Sequence, residues 1–142
     1  MSETEGRQFV DTNVLVYAHD RSAGTKHVRA RELLRDLWAS SEGCLSIQVL
    51  QEFYVTITRK VFRPLTTEVA AQLVADLAAW DVHRPGVEDL LDAIRLQGRH
   101  QTSFWDAMIL VSAAHLGCST VWSEDLSSGQ AYGTVVVRNP FA

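Results

Sequence analysis

Short β-prone apolar runs alternate with segments of helical periodicity along the whole chain, and that alternation admits few folds. Residues 8–11, 44–47, 81–85, 119–122 and 134–137 read as strands. Between them, residues 14–18, 26–38, 48–60, 66–80, 87–100 and 104–116 carry the apolar spacing of helices. The predicted inward stripes are Val28, Leu33, Leu34, Leu37 and Trp38; then Val49, Leu50, Phe53 and Ile57. Val69, Leu73, Val74 and Leu77 follow, and then Val87, Leu90, Leu91 and Ile94. Pro64 breaks one helix, Thr66 or Thr67 and Ser103 serve as N-caps, and Gly117 is a stop. Residues 1–7 are expected to form a flexible tail and residues 8–142 one domain. The pattern predicts an α/β fold, with a mostly parallel central β-sheet flanked by α-helices on both sides.

The length suffices for one core without staples, since a chain of 142 residues buries roughly 70% of its unfolded surface. A net charge of -4 argues against a broad electrostatic grip on nucleic acid. It leaves room for an enzyme that holds a polyanion through a metal and a local basic patch. Cys44 and Cys118 form no CxxC pair and sit in apolar sequence, which fits two buried thiols in a reducing compartment. No apolar leader and no run of about 20 apolar residues occurs, so a cytoplasmic protein without a membrane span is expected.

Within the first strand-like run, Phe9-Val10-Asp11-Thr12-Asn13-Val14-Leu15, one carboxylate is set among apolar residues. Burying an unpaired Asp is costly, so Asp11 is the leading functional residue. In open α/β sheets, ligands bind beyond the C-terminal ends of the strands. Asp11 ends one strand and Asp125 follows another. Glu52 and Asp106 lie in the early turns of helices that start at the same rim. Two carboxylates roughly 4 Å apart repel by about 4 kcal/mol at an effective dielectric near 20, so such a group takes up protons or holds a cation. Oxygen ligands alone suit Mg²⁺ or Mn²⁺ rather than zinc. Phosphate-ester hydrolysis is the matching reaction class. Thr12, Asn13 and Ser123 stand beside the acids as orienting polar groups. Each acid alone also has an ordinary role, as a helix-dipole partner, a solvated residue or a turn former.

Asp11-Thr12-Asn13-Val14-Leu15, Gln51-Glu52-Phe53, Ser103-Phe104-Trp105-Asp106-Ala107 and Ser123-Glu124-Asp125-Leu126, in this order, resemble the PIN domain. The closest likeness is to the VapC-type toxins of bacterial toxin–antitoxin pairs, over about Phe9 to Pro140. The resemblance implies a Mg²⁺- or Mn²⁺-dependent endoribonuclease that hydrolyses RNA phosphodiester bonds with a metal-activated water. Asp11, Glu52, Asp106 and Asp125 fall on the family's acidic quartet, with Asp11, Asp106 and Asp125 as metal ligands. It further implies a homodimer held inactive by a cognate antitoxin. Ser127 stands where many members carry a further acid, and the side chain of Glu124 is expected to point elsewhere. The alternative is a catalytically silent PIN scaffold acting as a protein- or RNA-binding module. A receiver-like signalling domain wants a second acid near the first strand and a late Lys. A haloacid-dehalogenase phosphatase wants Asp-x-Asp, and this chain offers neither pattern.

Arg95 and Arg99, one helical turn apart, are candidates for RNA phosphate contacts, as are Arg59, Lys60 and Arg63. Trp38, Trp80, Trp105 and Trp122 read mostly as core, with Trp105 as a wall of the site. Asp89 and Asp92 read as solvent-facing, and the five His show no ligand spacing.

Overall fold

Strand β1 (Gln8–Val10) lies near the middle of a six-stranded sheet of order β3-β2-β1-β4-β6-β5 in the computed structural model, which describes residues 6–127 and 129–142. β2 (Gly43–Ser46), β3 (Asp81–His83), β4 (Thr120–Trp122) and β6 (Val135–Arg138) run parallel to β1. Short β5 (Ala131–Tyr132) pairs antiparallel with β6 at the edge. The register pairs Phe9 with Cys44 on one side and with Val121 on the other. β1, β2 and β4 are buried along their length, as expected of parallel strands covered by helices.

Six α-helices flank the sheet among the described residues: α1 (Thr12–His19), α2 (Thr25–Ser40), α3 (Ile47–Arg59), α4 (Thr67–Leu77), α5 (Val87–His100) and α6 (Phe104–His115). The main core joins Phe9, Val10, Leu15, Leu45, Phe53, Ile57 and Val121. A smaller cluster of Ala93, Ala107 and Met108 ties α5 to α6. Gly43 is packed against Trp80, whose ring occupies the space a side chain would need. Cys44 and Cys118 are buried free thiols. No helix among the described residues is long and apolar enough to cross a membrane.

The α/β class and mostly parallel sheet agree with the sequence, and several details differ. α1 begins at Thr12 rather than Val14, because the Asp11 side chain accepts from the Thr12 N–H and caps the helix. α4 stops at Leu77, short of Trp80. β5 lies where only a polar loop was expected. Val28, Trp38 and Val69 are substantially exposed. So is the whole stripe Val87, Leu90, Leu91 and Ile94, because α5 packs on α6 through Ala93 and Leu96 instead. Of the expected tail, residues 1–5 lie outside the described residues. Arg7 is tied to the sheet: it pairs with Asp81, and its carbonyl accepts from the Ser119 N–H.

Candidate active site

Chain geometry delivers one acid from each of four places. Asp11 sits at the junction of β1 and α1, where its backbone N–H donates to the Trp122 carbonyl of β4. Glu52 lies on α3, which Ser46 caps by accepting from the Val49 N–H at 3.3 Å. Asp106 is in the first turn of α6, where its N–H donates to the Ser103 hydroxyl at 3.1 Å. Asp125 follows β4 in a turn held by Ser123, whose hydroxyl accepts from the N–H groups of Asp125 and Leu126, each at 3.2 Å. All four line one groove of about 860 Å³, together with Thr12, Asn13, Lys60, Phe62 and Trp105.

Asp11 forms the floor of this groove and is only 6% exposed. One of its carboxylate oxygens accepts from the Thr12 N–H at 2.7 Å, the other from the Ser123 hydroxyl at 2.8 Å. Burial pushes the Asp11 carboxyl up to about 6. The two hydrogen bonds oppose that rise, while the charges of Asp106 and Glu52 add to it. A buried carboxylate that feels two like charges favours either a proton or a cation.

The neighbouring polar residues orient the remaining acids. The Thr12 hydroxyl donates to Glu52 Oε1 at 2.7 Å. Asn13 Nδ2 donates to Asp125 Oδ2 at 3.0 Å, and its carbonyl oxygen accepts from the Glu124 N–H at 3.2 Å. Glu124 itself turns away to the Tyr17 hydroxyl at 2.9 Å and to an ion pair with Lys26. Ser127 is exposed and lies outside the groove lining. The donor set in the groove is therefore carboxylate oxygens with hydroxyl and amide support, which fits a hard divalent cation. Asp11, Glu52, Asp106 and Asp125 all face this space, although no three of them bring carboxylate oxygens within 4.8 Å of one another.

Arg95 and Arg99 do not line this groove. They border a separate cleft of about 490 Å³ with Asp92, His100, His115 and Tyr132. Arg95 pairs with Asp92 at 2.7 Å on the surface. Lys60 is the basic residue that does line the groove.

Asp89 is not solvent-facing: its side chain is 15% exposed. One of its oxygens accepts from the Gly86 N–H at 2.8 Å and lies 3.4 Å from His83 Nε2, while the other lies 3.6 Å from His115 Nδ1. Burial, and then the neighbouring His115, hold His83 below the usual histidine range. Sequence spacing cannot show this cluster, because β3, α5 and α6 each supply one member.

The PIN domain profile matches residues 9–128. Comparison with curated proteins finds no match. Among solved structures, the chain is similar to VapC20 of Mycobacterium tuberculosis, described as a sarcin-ricin loop cleaving toxin. The identity is 21%, the coverage 83% of this chain and 89% of that one, and the TM-score 0.63. A toxin–antitoxin complex from Klebsiella pneumoniae aligns with 15% identity over 94% and 97% of the two chains, with a TM-score of 0.69. DNA-bound VapBC from Salmonella typhimurium aligns with 15% identity over 95% and 98%, with a TM-score of 0.67. At these identities the shared property is the fold, and it is the profile match over most of the length that shows that the chain belongs to the PIN domain family.

Proposed function

We propose that the protein is a Mg²⁺- or Mn²⁺-dependent endoribonuclease and the toxin of a VapBC-type toxin–antitoxin pair, acting in the cytoplasm. The observation that carries this reading is the single groove lined by Asp11, Glu52, Asp106 and Asp125, with the first of them buried at its floor. Structural neighbours that are themselves toxins or toxin–antitoxin complexes support a cognate antitoxin as partner. The apolar stripe Val87, Leu90, Leu91 and Ile94 on the outside of α5 supports contact with another chain, and a homodimer uses such a surface.

The residues divide the work. Ser123 and the Thr12 N–H fix both Asp11 oxygens, so the carboxylate does not reorganise when charge develops nearby. Thr12 and Asn13 do the same for Glu52 and Asp125. A divalent cation held here supplies Lewis acidity toward a phosphodiester and lowers the pKa of water. Lys60 offers a positive charge to a neighbouring phosphate, and the exposed Trp105 ring offers a face on which an unpaired base stacks. Arg95 and Arg99 are proposed contacts for RNA that extends outside the groove.

The test is incubation of the purified protein with a panel of structured and single-stranded RNAs across Mg²⁺ and Mn²⁺ concentrations. Internal cleavage that appears with metal, disappears with chelator and is lost in Asp11→Asn is expected. A silent scaffold cleaves nothing at any metal concentration, and that result overturns the proposal.

A further inference from the structure

We propose that His83, Asp89 and His115 form a second metal site, selective for a borderline divalent ion such as Zn²⁺ and separate from the acidic groove. The three side chains come from the end of β3, the first turn of α5 and the last turn of α6. Ligand atoms from all three lie within 4.8 Å of one another, and among the described residues no other His, Cys, Asp or Glu group of three is that close.

The spacing suits ligands better than hydrogen bonds. His83 Nε2 and Asp89 Oδ2 are 3.4 Å apart, and His115 Nδ1 and Asp89 Oδ1 are 3.6 Å apart. A well-formed N–H···O bond has its heavy atoms at about 2.7–3.2 Å. Two donors on a tetrahedral zinc, each bound at about 2.0–2.1 Å, stand about 3.3 Å from one another.

The surrounding contacts give the site its support. His83 is buried, and its Nδ1 is engaged by the buried Ser112 hydroxyl at 2.8 Å, which leaves Nε2 as the atom facing Asp89. A second partner on the far ring nitrogen is how metal-bound histidines are usually oriented. Asp89 is anchored by the Gly86 N–H. The His115 ring stacks on His83 with centroids 4.2 Å apart, yet its side chain is 57% exposed, so it can swing to complete the set. Asp89 and His115 both border the cleft that holds Arg95 and Arg99, which is the path for an ion from solvent. Three protein ligands leave a fourth position open to that cleft. Two nitrogens and a carboxylate favour zinc, cobalt or nickel over magnesium, whereas the groove offers oxygen alone.

The experiment titrates the full chain with Co²⁺, a spectroscopic stand-in for Zn²⁺, in excess Mg²⁺ to occupy the groove. Wild type is expected to take up one equivalent and show the visible bands of low-coordinate cobalt, displaced by Zn²⁺. Zn²⁺ is also expected to raise its Tm. His115→Ala and the bulkier His115→Gln, both checked for fold by circular dichroism, are expected to lose affinity by at least roughly tenfold. Asp11→Asn is expected to keep the bands. Absence of cobalt uptake by wild type, equal affinity in both His115 variants, or loss of the bands in Asp11→Asn overturns the proposal. None of these outcomes depends on ribonuclease activity.

Discussion

The Ser123 hydroxyl donates to Asp11 Oδ2 at 2.8 Å, joining residues 112 positions apart through the adjacent strands β4 and β1. The Ser123 hydroxyl oxygen in turn accepts from two backbone N–H groups, those of Asp125 and Leu126, in the turn that carries Asp125. Ser123→Ala therefore loosens two of the four acids at once. We expect about 10–100-fold weaker metal-dependent cleavage, with a higher metal requirement, and a stability loss of about 1–3 kcal/mol. Metal titrations of cleavage and urea unfolding measure both.

Asp11 makes the metal-free protein sensitive to pH in a definite direction. Its carboxyl is raised to about 6 by burial, against about 3.9 in an unfolded chain. The folded state thus keeps a proton that the unfolded chain releases first. The associated stability is present below pH 4 and lost as pH rises through 6, a loss on the order of 2–3 kcal/mol. Asp11→Asn removes that slope and makes the chelated protein more stable at neutral pH while abolishing cleavage. Mg²⁺ opposes the loss in wild type by favouring the ionised form. Urea unfolding in chelator from pH 4 to 8 checks this. A wild-type profile parallel to that of Asp11→Asn contradicts it.

Thr12→Val removes the hydroxyl that holds Glu52 Oε1 while keeping the shape of the side chain. Glu52 is then free to turn into solvent. Cleavage is expected to fall by about tenfold with little change in Tm, because the bond lies on the exposed side of the groove. A loss of stability matching the loss of activity would show instead that Thr12 serves the fold.

Gly43→Ala tests the packing beneath the sheet. An added Cβ would meet the Trp80 ring at 2.5 Å, and the indole is itself wedged edge-on against Trp38. Destabilisation of about 1–3 kcal/mol is expected, read as a lower Tm with altered tryptophan fluorescence.

Lys60→Ala is expected to weaken single-stranded RNA binding and to reduce the salt slope by about 0.7, the value for one phosphate contact. Arg95→Ala with Arg99→Ala should lower the slope further only for RNAs long enough to leave the groove. Binding measured across salt concentrations with short and long RNAs separates the two sets.

That the four acids face one groove was legible because local rules place them: Asp11 at a strand end, Glu52 and Asp106 in the early turns of helices, Asp125 in a turn after a strand. The rim of a parallel sheet does the rest. The α5 stripe was not, because periodicity identifies an apolar face without saying whether the fold covers it. Val87, Leu90, Leu91 and Ile94 keep helical spacing and face outward, while small Ala93 makes the close contact with α6. Asp89 looked like a surface acid, and only the packing of α5 against β3 and α6 turns it inward toward two histidines. β5 is two residues long, too short for its alternation to register.

The pairing of Val10 with Trp122 has a consequence for synthesis. A ribosome finishes the first strand and its carboxylate long before the segment that completes the pocket. Until that later stretch emerges and closes a loop of more than a hundred residues, the nascent polypeptide carries isolated acids and no assembled groove. Translation order alone thus withholds the finished groove until nearly the whole chain has been made.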